Sequence, residues 1–108
     1  MVKRKVIWTN TAALQRREVL KYWTERNGNT KYAEQLIQVT ASHLKVIITS
    51  PFSFKQTEIE SIHESAMGHF SIYYKITTDQ IIVLAFWDNR QSPKKLLKAI
   101  IKSTKNTL

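Results

Sequence analysis

The stretch Gly68-His69-Phe70-Ser71-Ile72-Tyr73-Tyr74-Lys75-Ile76, followed after Thr77-Thr78-Asp79-Gln80 by Ile81-Ile82-Val83-Leu84-Ala85-Phe86-Trp87, decides the fold. Its residues are β-branched and aromatic, and polarity changes with a period of two, which predicts strands over 69–76 and 81–87 joined by a turn at 77–80. In the first, Phe70, Ile72, Tyr74 and Ile76 share one face, and His69, Ser71, Tyr73 and Lys75 the other. The second is apolar on both faces, as in a central strand or one whose open face a partner covers. Upstream, 61–66 reads as another strand, turned tightly at Met67-Gly68.

The apolar face of these strands needs cover, and the first half of the chain supplies it. Lys3 to Trp8 is a short β-prone run that leads into Thr9, Asn10 and Thr11, residues suited to capping a helix N-terminus. Ala12, Val19, Leu20 and Trp23 then fall on one helical face over 11–26. Gly28 is placed for a left-handed C-terminal cap. Arg16 points into this stripe, and its aliphatic stem is expected to snorkel past the core. Ala33, Leu36, Ile37, Thr40, Leu44, Ile47 and Ile48 repeat at three- and four-residue steps in a second helix that ends near Ser50-Pro51. The short link at Gly28 makes the pair an antiparallel hairpin. Ser92-Pro93 opens a basic C-terminal helix marked by Leu96, Leu97, Ile100 and Ile101. The expected class is α+β, in the order β-α-α-β-β-β-α, with the helical hairpin on one face of a small, mainly antiparallel sheet. The other sheet face, carrying His69, Ser71, Tyr73 and Lys75, is expected to lack a helix.

A length of 108 residues makes a single domain spanning 1–108. Without cysteine there is no disulfide framework, thiolate nucleophile or zinc-thiolate site, and a reducing, cytoplasmic compartment is expected. The longest apolar run, Ile81–Trp87, is far shorter than the ~20 residues that cross a bilayer, so no membrane partner is expected. No apolar stretch follows Lys3, Arg4 and Lys5, so no signal peptide is expected either. Seventeen Lys and Arg against eight Asp and Glu give a net charge of +9, which points to an acidic protein or a nucleic acid as partner. Lys94, Lys95, Lys98, Lys102 and Lys105 concentrate that charge in the C-terminal segment, where no acid occurs.

Three local patterns carry a family resemblance: Val6-Ile7-Trp8-Thr9 leading to Trp23; Gly68-His69-Phe70-Ser71-Ile72-Tyr73-Tyr74; and Ile82 to Trp87 running into Asp88-Asn89-Arg90-Gln91-Ser92-Pro93. With the element order, they make the chain resemble the RelE/ParE superfamily, the toxins of bacterial type II toxin-antitoxin systems, some of which serve plasmid stabilisation. The resemblance covers nearly the whole chain. It implies a basic toxin held inactive, in a toxin-antitoxin hetero-oligomer, by an acidic antitoxin that covers the open sheet face and the C-terminal helix. It leaves two targets open: RelE-like members cut messenger RNA on the ribosome, whereas ParE-like members poison DNA gyrase, and a fold does not choose between activities. A basic nucleic-acid-binding module without toxicity and a degenerate toxin are the alternatives.

Metal-independent RNA cleavage by a 2′-hydroxyl needs a base, an acid and cations around the phosphate. Arg90 matches the family's arginine after the final strand, and its planar fork suits a phosphate; it can equally pair with Asp88. His69 titrates near neutrality and is a candidate acid or base, and Tyr73 completes the candidate catalytic set. Lys55, Lys75, Lys94 and Lys95 are candidate contacts to nucleic acid or target. His63 and His43 receive no catalytic role, His43 being placed late in a helix where charge complements the dipole. No metal-ligand spacing and no phosphate loop occurs, so neither metal nor cofactor is expected. Messenger-RNA cutters often carry arginine where this chain has Ser71. They also tend to carry a tyrosine or histidine near the C-terminus, and none follows Pro93 here.

Overall fold

Thr9 joins the first two elements: its extended backbone ends β1 (Lys5–Trp8), and its Oγ1 accepts the Ala12 N–H at 3.1 Å to cap α1 (Asn10–Asn27). The structure, a computed structural model, describes residues 3–105. α1 stops at Gly28, whose φ of +69° is the left-handed cap the sequence predicts and whose N–H donates to Thr24 O at 3.0 Å. Asn29 Oδ1 accepts the Lys31 N–H ahead of α2 (Lys31–Thr49), and a short 3-10 turn at Pro51–Ser53 ends the hairpin. The strands β2 (Lys55–Gln56), β3 (His63–Ala66), β4 (Phe70–Ile76) and β5 (Gln80–Asp88) follow, then α3 (Pro93–Lys105).

The sheet order is β1-β5-β4-β3-β2. The hairpins β4–β5, β3–β4 and β2–β3 are antiparallel, while β1 returns beside β5 in parallel, with Val6 opposite Ile81. The sheet is thus mainly antiparallel, and β5, between β1 and β4, packs against the helical hairpin on one face and α3 on the other, which is why it is apolar on both. The two-residue β2 was not expected from sequence; it extends the edge beside β3.

The helical hairpin covers the expected face. Ala12, Leu36 and Ile47 pack on Phe70, Ile72, Tyr74, Ile81, Val83 and Phe86, with Tyr74 and Ile72 fully buried. Ile37, read as core, is instead 40% exposed, because it lies on the margin of the α2 stripe. Arg16 departs from simple snorkelling: its guanidinium sits 5.2 Å from the Trp8 ring centroid, and its Nε is buried without a hydrogen-bond partner among the described residues.

The second face is where the structure corrects the sequence reading. α3 crosses it, and Ile100 packs with Ile62, Tyr73, Ile82, Leu84, Ala85 and Trp87. Ser71 and Tyr73 are consequently buried rather than displayed. The fit depends on an extra residue in β5: Tyr74 pairs with Val83 but Tyr73 with Ala85, which leaves Leu84 without a partner in the register. Such a bulge moves the alternation by one position and frees backbone groups. Gln15 Oε1 accepts the Phe86 N–H at 2.9 Å from the α1 side, and Ser103 Oγ donates to the Leu84 carbonyl from the α3 side. Since the Ser103 proton is used there, Thr9 Oγ1 donates to Ser103 Oγ across 2.9 Å and links β1, α3 and β5.

Candidate functional site

A cleft of about 650 Å³ opens between the β2–β4 end of the sheet and the first turns of α3. Its position follows from register. Lys55 lies opposite Glu64, Glu64 opposite Tyr73, and Tyr73 opposite Ala85, so one row of residues crosses four strands. Two residues along, Ser71 lies opposite Trp87. Trp87, Asn89, Lys94 and Leu97 complete the walls that matter chemically.

Glu64 is the polar centre of this cleft. It accepts from Ser71 Oγ at 2.9 Å, lies opposite Tyr73 across the strands and is 3.9 Å from Lys55 Nζ. Asn89 Nδ2 donates in turn to Ser71 Oγ at 3.0 Å and to the Gly68 carbonyl at 3.2 Å. Burial and the facing Glu64 charge push the Tyr73 phenol well above its ordinary value. Tyr73 therefore keeps its proton beside Glu64 and does not serve as a base. The cleft can hold a ligand against Tyr73 and Trp87 and present Lys55 and Lys94 to negative charge.

The remaining candidates lie elsewhere. Arg90 is clamped by Asp88, which accepts its Nε at 2.9 Å, its Nη2 at 2.7 Å and its backbone N–H at 2.9 Å. Its guanidinium rests 5.9 Å from the Trp23 centroid, on the α1 side of the sheet. The hydrogen bonds and charge of Arg90 hold the Asp88 carboxyl below the usual carboxylate range. His69 is exposed at the turn before β4, where its carbonyl accepts the Asn89 N–H at 2.8 Å. Lys75 lines a second groove of about 430 Å³ with Ile62, Leu97 and Ile101. Lys95 is exposed on α3; of the five C-terminal lysines, the Lys105 side chain lies outside the described residues. The structure thus brings Tyr73, Lys55 and Lys94 together and sets Arg90 and His69 apart from them.

No family model and no characterised protein sequence matches the chain. Among solved structures it is similar to a chain of the chromosomal ParDE TA system from P. aeruginosa, with a TM-score of 0.67 and 14% identity over 80% of this chain and 96% of that one. The fold is that of a ParDE toxin-antitoxin chain. In this ParDE-type fold the sequence reading missed Glu64, Trp87 and Asn89 as cleft residues. Glu64 was misplaced by the expected turn: a two-residue turn at Met67-Gly68 would set it opposite Ser71, whereas the chain turns at Gly68-His69, with the Met67 N–H donating to the Phe70 carbonyl, and sets Glu64 opposite Tyr73. Asn89 had no signal, since its partners are a loop carbonyl and a side chain on another strand. His43, read as a dipole partner, instead bonds Ser65 Oγ at 2.7 Å and ties α2 to β3. Among the described residues no helix is long and apolar enough to cross a membrane, and no three of His, Asp and Glu come together as metal ligands.

Proposed function

We propose that this protein is the toxin of a cytoplasmic toxin-antitoxin pair and that it acts in the ParE manner, on DNA gyrase, rather than by cutting messenger RNA. The toxin reading is supported by a fold shared over almost the full length of a ParDE chain and by a net charge of +9, which suits capture by an acidic antitoxin. The observation that carries the choice of target is the separation of Arg90 from Tyr73. General acid-base cleavage needs its proton donor, acceptor and phosphate-binding cation around one reacting atom. Here Arg90 lies on the α1 side and Tyr73 on the α3 side, where burial beside Glu64 keeps the phenol protonated. Since α3 occupies the second sheet face, we infer that the antitoxin binds along the α3 lysines and the cleft mouth rather than on bare sheet.

Induced expression without the partner tests both levels. The expected result is growth arrest with trapped double-strand breaks and a DNA-damage response, relieved by co-expressing a short acidic protein from the adjacent reading frame. Unimpaired growth overturns the toxin reading. Site-specific cuts in translated messages that disappear in Arg90→Ala overturn the gyrase reading and restore nuclease roles to Arg90, His69 and Tyr73.

A further inference from the structure

The end of α1 carries a patch that the cleft does not use. Trp23 is half-buried and has two guanidiniums against its ring, Arg26 at 5.4 Å and Arg90 at 5.9 Å from the centroid. Tyr22 meets the same indole edge-on at 5.3 Å, and Tyr32 lies 5.1 Å from it at a tilt of 57°. Both arginines are oriented before any ligand arrives. Asp88 takes Nε and Nη2 of Arg90 and leaves Nη1, while Arg26 gives Nη1 to Tyr22 Oη at 3.0 Å and retains its other donors. Among the described residues Arg26 forms no ion pair, so its charge stays uncompensated. The Tyr22 side chain is 52% exposed beside it.

We propose that this patch binds single-stranded nucleic acid, with a backbone phosphate between Arg26 and Arg90 and a base stacked on Tyr22. Planar guanidinium forks match phosphate oxygens, and an exposed aromatic ring accepts any base face without sequence preference. An acidic peptide would use the cations but leave the half-exposed ring unaccounted for, so the combination favours nucleic acid. Holding both arginines against Trp23 also lowers the side-chain entropy lost on binding. The site is separate from the cleft and does not depend on which enzyme the protein poisons.

The test is fluorescence anisotropy of a labelled oligothymidylate with the full chain, titrated across roughly 50–200 mM salt. Arg26→Gln and Arg90→Gln should each reduce the slope of log affinity against log salt by about 0.7, the loss of one phosphate contact on a single strand. Tyr22→Ala should weaken binding by roughly fivefold or more while Tyr22→Phe, which keeps the ring, retains most of it. Far-ultraviolet circular dichroism of each variant separates loss of binding from loss of fold. Unchanged affinity and slope in Arg26→Gln and Tyr22→Ala overturn the proposal. So does preference for a duplex of equal length, or binding of poly-glutamate in place of oligothymidylate.

Discussion

The Ser103 hydroxyl near the end of α3 donates to the backbone carbonyl of Leu84, the residue that β5 inserts as a bulge. Ser103 is fully buried and also receives the Thr9 hydroxyl, so it fixes α3 to the sheet at a point where the ladder leaves a carbonyl unpaired. A buried acceptor stripped of its donor costs about 1–3 kcal/mol. Ser103→Ala should therefore lower the unfolding free energy in urea by that amount, and an unchanged denaturation midpoint would show that α3 docks by apolar contact alone.

The Asp88–Arg90 clamp predicts an acid-dependent term. Because Arg90 holds the Asp88 carboxyl below its ordinary value, the folded state binds that proton less readily than the unfolded chain. The stabilisation is fully present above the ordinary carboxylate value of ~4 and disappears as pH falls through the lowered one. The parent should exceed Asp88→Asn in stability at neutral pH, and the two should converge on acidification. A difference that persists unchanged to low pH would mean that the amide loses packing rather than charge.

Much of this architecture is written locally. The α2 periodicity, the Thr9 cap, the Gly28 cap and the alternation along β4 are each set by residues a few positions apart, and each is present as read apart from the exposed Ile37. What was hidden depends on distant partners. β1 pairs in parallel with β5 across most of the chain, and neither strand carries a signal for the other. The Leu84 insertion looks like any apolar residue until Gln15 and Ser103 are seen on either side of it. The docking of α3 rests on the same point, since a basic amphipathic helix and a polar-looking strand face gave no sign that they meet. In the cleft, Tyr73 and the lysines were legible as types, whereas Glu64 required the register.

His63 on β3 is buried, stacked on Tyr74 at 5.5 Å and 19°, with its Nδ1 unpartnered among the described residues. Phe52 meets the same ring edge-on at 6.2 Å. An aromatic of similar shape without the ring nitrogens keeps both contacts and removes a desolvated polar atom. His63→Phe is expected to stabilise the fold by roughly 1 kcal/mol, whereas His63→Ala, which empties the stack, should cost about 2 kcal/mol or more. Thermal unfolding of the pair checks this, and a destabilising phenylalanine would reveal a hydrogen-bond partner for the imidazole.

Tyr74 gives the opposite pH signature to Asp88. Its hydroxyl donates to the Pro51 carbonyl at 2.8 Å inside the core, and burial pushes the phenol up to about 12. The folded state thus keeps a proton that the unfolded chain releases near its ordinary value of ~10, so this stability is present below ~10 and is lost as pH rises toward the folded value. At neutral pH, Tyr74→Phe should cost about 1–3 kcal/mol because the Pro51 carbonyl loses its donor. Above pH ~10 the parent weakens while the phenylalanine variant lacks this term, so the gap between them should narrow. Urea denaturation at a series of alkaline pH values reads that gap directly. A gap constant from neutral to strongly alkaline solution would mean that the phenol ionises as easily in the fold as out of it, which full burial beneath the Pro51 turn does not allow.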